Sequence, residues 1–120
     1  MWNTPTVDSK RNTLYIGNNF SPPASDASDA IVAVDLTTGD IRWIHQITAD
    51  DIWNASCRRP DRDPAVCPDA EAPDYDFPGS PILVDLVDLA DRRQLIVAGN
   101  KDGMIYGLDP DGGGATVWKQ

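Results

Sequence analysis

Glutamate is almost missing from this chain. Of 19 acidic residues among 120, only Glu71 is a glutamate, and the other 18 are aspartates. Asp favours turns and caps and is weak inside helices and strands, whereas helical proteins use Glu freely. Lysine occurs three times, cysteine twice and histidine once, at His45. Lys plus Arg is 10, so the formal net charge is −9. A basic face for phosphates is therefore lacking, which argues against nucleic acid and against an anionic membrane surface. No apolar run approaches the roughly 20 residues of a transmembrane helix. Met1 is followed by Trp2, Asn3, Thr4 and Pro5, with neither the basic nor the apolar region of a signal peptide. An exported protein of this sequence is expected to be a mature form or a segment.

What is present is short, apolar and β-patterned. Residues 13–17 (TLYIG), 30–36 (AIVAVDL), 80–87 (SPILVDLV), 94–99 (QLIVAG), 104–108 (MIYGL) and 115–119 (ATVWK) read as strands. Residues 41–47 (IRWIHQI) alternate apolar and polar, the period of a half-buried strand. Turns are expected at 37–40 (TTGD), 100–103 (NKDG, in type I′-like form) and 109–114 (DPDGGG). No stretch carries a helical period. Residues 50–78 are rich in Pro and Asp and read as a long excursion from the β framework. Cys57 and Cys67 both lie there, without the neighbouring ligands a metal site needs. A disulfide closing a small loop is favoured over two free thiols, and it implies an oxidising compartment such as the periplasm or cell exterior.

The chain repeats itself. Ala33-Val-Asp35-Leu-Thr-Thr-Gly39-Asp-Ile-Arg-Trp43 parallels Gly107-Leu-Asp109-Pro-Asp-Gly-Gly-Gly114-Ala-Thr-Val-Trp118. The copies are about 75 residues apart. Without the excursion the period is ~45, that of four-stranded propeller blades. The fold expected is all-β, about two blades of a propeller over residues 1–120. A blade buries its faces only against neighbours. The chain alone is therefore expected to be poorly stable and to need further blades.

The form A-x-D-x-x-T-G-x-x-x-W resembles the tryptophan-docking motif of quinoprotein dehydrogenases, eight-bladed propellers that bind pyrroloquinoline quinone (PQQ) and Ca²⁺. The resemblance implies that Trp43 and Trp118 pack between blades as structural residues. It extends along nearly the whole chain. Trp2-Asn-Thr-Pro-Thr-Val-Asp8 resembles the segment whose Trp forms the floor under PQQ. Tyr15-Ile-Gly17-Asn18 resembles the strand end whose Asn ligates calcium, with Asn19 as the near alternative. The family's W-D-F, whose Asp is the general base, is matched in part. Trp53 is followed by Asn54, whose amide cannot accept the proton. Asp76-Phe77-Pro78-Gly79 then resumes the pattern after an insertion. The implied base is Asp76, also beside the metal, with Asp74 as fallback. A carboxylate next to Ca²⁺ is expected to have a lowered pKa. Lys101, in Asn100-Lys101-Asp102-Gly103, matches the basic residue that reaches the quinone oxygens.

Each match has a plainer reading: a Trp at a frayed terminus, an ordinary Gly-Asn turn, one more solvated Asp, an exposed turn Lys. His45 reads as a structural strand residue. Arg58, Arg59 and Arg62 read as local partners of Asp61 and Asp63. The Cys-containing insertion resembles the branch that oxidises polyvinyl alcohol and other secondary alcohols, where it would form a substrate rim or a stabilised surface loop. The resemblance implies an alcohol substrate and a cytochrome c-type electron acceptor. No C-x-x-C-H is present, so this chain has no c-type haem attachment site. The competing expectation is a non-catalytic propeller that binds other proteins, as outer-membrane assembly scaffolds do. Such a scaffold has no reason to keep Trp2, Asn18, Asp76 and Lys101 together.

Overall fold

The computed structural model describes residues 3–18, 26–87 and 92–120. Two antiparallel four-stranded sheets follow one another, each in sequence order. The first holds β1 (Thr6–Asp8), β2 (Thr13–Asn18), β3 (Ala30–Asp35) and β4 (Ile41–Gln46). The second holds β5 (Ile82–Val87), β6 (Arg92–Gly99), β7 (Ile105–Leu108) and β8 (Thr116–Lys119). This is the four-stranded unit of a propeller blade, twice. Strand β1 is the element the sequence did not announce: three residues are too few to show a period. The excursion leaves after β4 and returns at β5. It contains one 3-10 turn, Ala55–Arg58, which is also too short for a periodic signal.

Both copies of the repeat fold alike. Ala33 pairs with Trp43 and Gly107 with Trp118, and in each case the register shifts at the next residue. The turns match as well. Gly39 N–H donates to the Asp35 carbonyl and Gly114 N–H to the Asp109 carbonyl, both at 2.9 Å. Gly39 (φ +79°) and Gly114 (φ +78°) hold the left-handed backbone that these turns need. The extra residue of the second copy is absorbed in its Gly-rich turn. The hairpin between β6 and β7 differs from expectation. A type I′ turn needs positive φ at both central residues, yet among residues 100–103 only Gly103 has it, at +89°.

The core lies between the sheets. Tyr15, Ile31 and Ala33 of the first face Ile96, Ala98, Tyr106 and Leu108 of the second. Trp43 stacks on Tyr15, with ring centroids 5.7 Å apart. It also spreads over the second sheet's turn, where a Cβ on Gly114 would stand 2.6 Å from its ring. Trp118 lies over Gly107 in the same way, on the face turned from the first sheet, and is 39% exposed. His45 shares Trp43's face and meets the Thr116 hydroxyl at 2.9 Å. Burial pushes its pKa down, so it is neutral at physiological pH. Phe77, from the excursion, is fully buried in this core, edge-on to Tyr106.

Candidate functional site

Strand directions place Asn18, Asp29, Gln46 and Asn100 at one end of the two sheets, where the excursion departs and returns. Its last residues, 74–79, cross the end of β2. A Cβ on Gly17 would lie 2.7 Å from Cβ of Phe77 and 2.6 Å from Nδ2 of Asn3. Glycine is required there because another segment passes over it. Asn3 fastens the crossing: its Nδ2 donates to the carbonyls of Gly17 (3.1 Å) and Phe77 (2.7 Å). The Oδ1 of Asn3 is buried without a hydrogen-bond partner. Asn18 and Asp76 thus flank one contact although 58 positions separate them. Asn18 Nδ2 donates to the Ala27 carbonyl at 2.5 Å, which commits the nitrogen end of this amide.

Lys101 arrives from the hairpin between β6 and β7. Its N–H donates to the Asp76 carbonyl at 2.9 Å. Its Nζ donates to the Asp76 carboxylate, and to Asp74 at 3.2 Å. Asp76 is buried, at 7% exposure. Burial pushes its pKa up, Lys101 pulls it back, and Asp74 and Asp29 push again; the net direction is up. The lowered value expected beside a cation is therefore not what the polypeptide alone imposes. Burial also opposes the charge of Lys101, but the two carboxylates outweigh it and hold its pKa up.

The structure thus joins Asp76 to Lys101 and sets Asn18 next to the Gly17–Phe77 crossing, while Trp2 lies outside the described residues, as does Asn19. Asn54 serves a different purpose. Its Oδ1 accepts from Ser56 N–H (3.0 Å) and caps the 3-10 turn, and its Nδ2 donates to the Val66 carbonyl (2.9 Å). Asp74 and Arg58 pair at 3.7 Å, and the Arg58 guanidinium lies 5.0 Å from the Trp53 ring centroid. Arg58 is therefore not a local partner of Asp61 or Asp63. Arg59 is, pairing with Asp61 at 3.3 Å. Cys57 and Cys67 form a disulfide with an S–S length of 2.06 Å.

Three residues of this end escaped the sequence reading. Asp29 is fully buried and accepts from Asn100 Nδ2 at 2.6 Å, across 71 positions. Asp51 accepts from Tyr75 N–H at 2.9 Å and from Trp53 N–H at 3.3 Å, holding the two limbs of the excursion together. Burial pushes both carboxylates up. Asn3 is the third. None carries a local signal: each looks like a turn residue until its distant partner is known.

No family model matches the chain. Similar proteins do. Over 120 residues it is 39% identical to a polyvinylalcohol dehydrogenase from Pseudomonas sp, covering 98% of this chain and 18% of that protein. Over 122 residues it is 37% identical to the polyvinylalcohol dehydrogenase of Sphingopyxis sp. (strain 113P3), covering 100% and 18%. The crystal structure of the quinohemoprotein alcohol dehydrogenase from Comamonas testosteroni matches the whole chain with a TM-score of 0.68 at 25% identity, covering 16% of that chain. The chain is homologous to quinoprotein alcohol dehydrogenases along its whole length. It spans less than a fifth of the length of the curated relatives it matches, and forms a partial propeller of the quinoprotein type.

Among the described residues, no group of three or more His, Cys, Asp or Glu side chains forms a metal site. The oxygen donors at the site are nonetheless of the kind a hard cation accepts: the Asp76 carboxylate and the amide of Asn18. The buried, unpartnered Oδ1 of Asn3 adds an acceptor beside them. The Lys101 ammonium offers the cationic donor that a carbonyl-rich quinone needs. In a quinoprotein of this kind the residues present fit part of a PQQ and calcium site.

Proposed function

We propose that this chain forms two blades of a PQQ- and Ca²⁺-dependent dehydrogenase that oxidises alcohols, secondary or polymeric ones included. The observation that carries the reading is the meeting of Asp76 and Lys101. The hairpin and the DFPG segment are 25 positions apart, and main chain and side chain both join them. In this reading Asp76 accepts the hydroxyl proton of the alcohol as hydride leaves its carbon and a carbonyl product forms. PQQ, when bound, is the two-electron acceptor of that hydride. Lys101 holds the quinone oxygens and favours negative charge there. Asn18 and Asp76 supply two of the calcium oxygens, and Trp2 supplies the flat surface under the cofactor. The other blades supply the remaining ligands, and a cytochrome c-type protein takes the electrons onward. The disulfide supports export to the periplasm or beyond.

The test uses the full-length protein containing this segment, purified without cofactor. PQQ and Ca²⁺ are added, and dye reduction by a secondary alcohol is followed. The expected result is activity that Asp76→Asn lowers by at least about 10²-fold, with PQQ binding retained. Activity that survives the substitution moves the base elsewhere. Absence of PQQ binding by the unsubstituted protein favours a protein-binding scaffold instead.

A further inference from the structure

We infer that Asp29 is a positioning residue for Lys101, acting across the junction between blades through Asn100. The inference rests on the reading that Lys101 holds the cofactor. Asp29 is the last residue before β3, in the first sheet, and its side chain is fully buried. Its Oδ1 accepts from Asn100 Nδ2 at 2.6 Å, a charge-assisted bond shielded from water and so among the stronger kind. Its main-chain carbonyl accepts from Ile47 N–H at 2.9 Å. Asp29 is thereby fixed to the root of the excursion before it reaches across.

Asn100 passes that position on. Its Oδ1 accepts from Asp102 N–H at 2.9 Å, and its carbonyl accepts from Gly103 N–H at 3.2 Å. Its own N–H donates to the Met104 carbonyl at 2.9 Å. Asp102 completes the stitch by accepting from Met104 N–H at 2.8 Å. The hairpin is thus rigid within itself, and Asn100 ties it to the neighbouring sheet. Lys101 lies between the tied residue and the stitched one. A buried carboxylate that bonds Asn100 while lacking any donor on Oδ2 among the described residues is expensive for stability alone. Holding a cofactor-binding cation in register accounts for its place.

The experiment measures the PQQ dissociation constant of the full-length apoprotein, by quenching of intrinsic tryptophan fluorescence at saturating Ca²⁺. Asp29→Ala and Asn100→Ala are each expected to weaken PQQ about tenfold, ~1.4 kcal/mol. The double variant is expected to be no weaker than the worse single one, because both remove one bond. Lys101→Ala is expected to weaken PQQ as well, and Asp29→Ala to add nothing in that background. Asp29→Asn keeps the volume and one acceptor; it is the variant to use where alanine prevents folding, with about threefold weakening expected. An Asp29 effect that persists in full without Lys101, or no change in PQQ affinity from Asp29→Asn and Asn100→Ala in folded protein, overturns the inference. If Lys101→Ala leaves PQQ affinity unchanged, the assignment of Lys101 fails, and this inference with it.

Discussion

The two ends of these blades are built from the same residue types and use them in opposite ways. At the turn end, Arg11 joins both sheets: it pairs with Asp8 at 2.8 Å and Asp111 at 2.6 Å and donates to Gln94 at 2.6 Å. Burial pushes Asp8 up, but the Arg11 bonds outweigh it and its pKa ends below the ordinary value. Arg11 lowers Asp111 too. Asp35 with Arg42 and Asp109 with Arg93 repeat the pattern. At the site end Asp29, Asp51 and Asp76 are all buried and all pushed up, with Lys101 between Asp76 and Asp74. Where every carboxylate touches a guanidinium, even one shared between two, the charges hold the fold. Where buried carboxylates outnumber nearby cations, the fold carries a cost that stability does not explain, and such places are candidates for function.

The sharpest way to break this contrast is to neutralise one aspartate at each end of the full-length protein. Asp76→Asn is expected to lower kcat by about 10²–10⁴-fold and to leave the melting temperature close to that of the parent. Asp8→Asn is expected to do the reverse. If both substitutions act on stability alone, the site end is only another set of structural charges. The disulfide comes next. Replacing Cys57 and Cys67 by serine opens a small loop, expected to cost about 3 kcal/mol of local stability. Faster proteolysis within residues 50–78 is the readout, with cutting in the turn at 36–40 unchanged. Arg11→Met is expected to cost about 3 kcal/mol, because it strands the buried Asp8. Its effect belongs in the unfolding midpoint, with PQQ affinity unmoved.

The sequence showed the blades more readily than the site. Strands β2 to β8 declared themselves through short apolar runs between Asp, Gly and Pro turns, and the repeat gave their grouping. Strand β1 and the 3-10 turn were too short to show a period. At the site, Gly17 and Asn18 could be found because a motif marks them, but the reason for Gly17 appears only when Phe77 is seen crossing it. Asp29 with Asn100, and Asp51 with Tyr75, are partnerships over 71 and 24 positions. A lone sequence carries no trace of such pairs, since a buried Asp and a solvated one are written the same way. The net charge at each end is likewise a product of folding, because the few arginines are scattered among the aspartates along the chain without regard to which end they reach.

Titration supplies the smallest effect and sharpens the comparison furthest. Asp8 has a folded pKa below the ordinary 3.8. Its stabilising contribution is therefore complete above 3.8 and is lost as pH falls through the lower folded value. Asp29 has a folded pKa above 3.8. Its ionised form is a cost that is complete above the raised value and gone below 3.8. Asp29→Asn removes that cost, so its melting temperature relative to the parent is expected to climb as pH rises from 3.8 toward neutrality. Arg11→Met is expected to lose whatever part of the parent's destabilisation below pH 3.8 comes from Asp8. Opposite slopes in the two difference curves would mean that one end of the blade is tuned for cohesion and the other strained. The same Asp29→Asn protein, more stable near neutral pH yet weaker toward PQQ, would show what that strain is kept for. Parallel slopes would mean that the two ends differ in geometry alone.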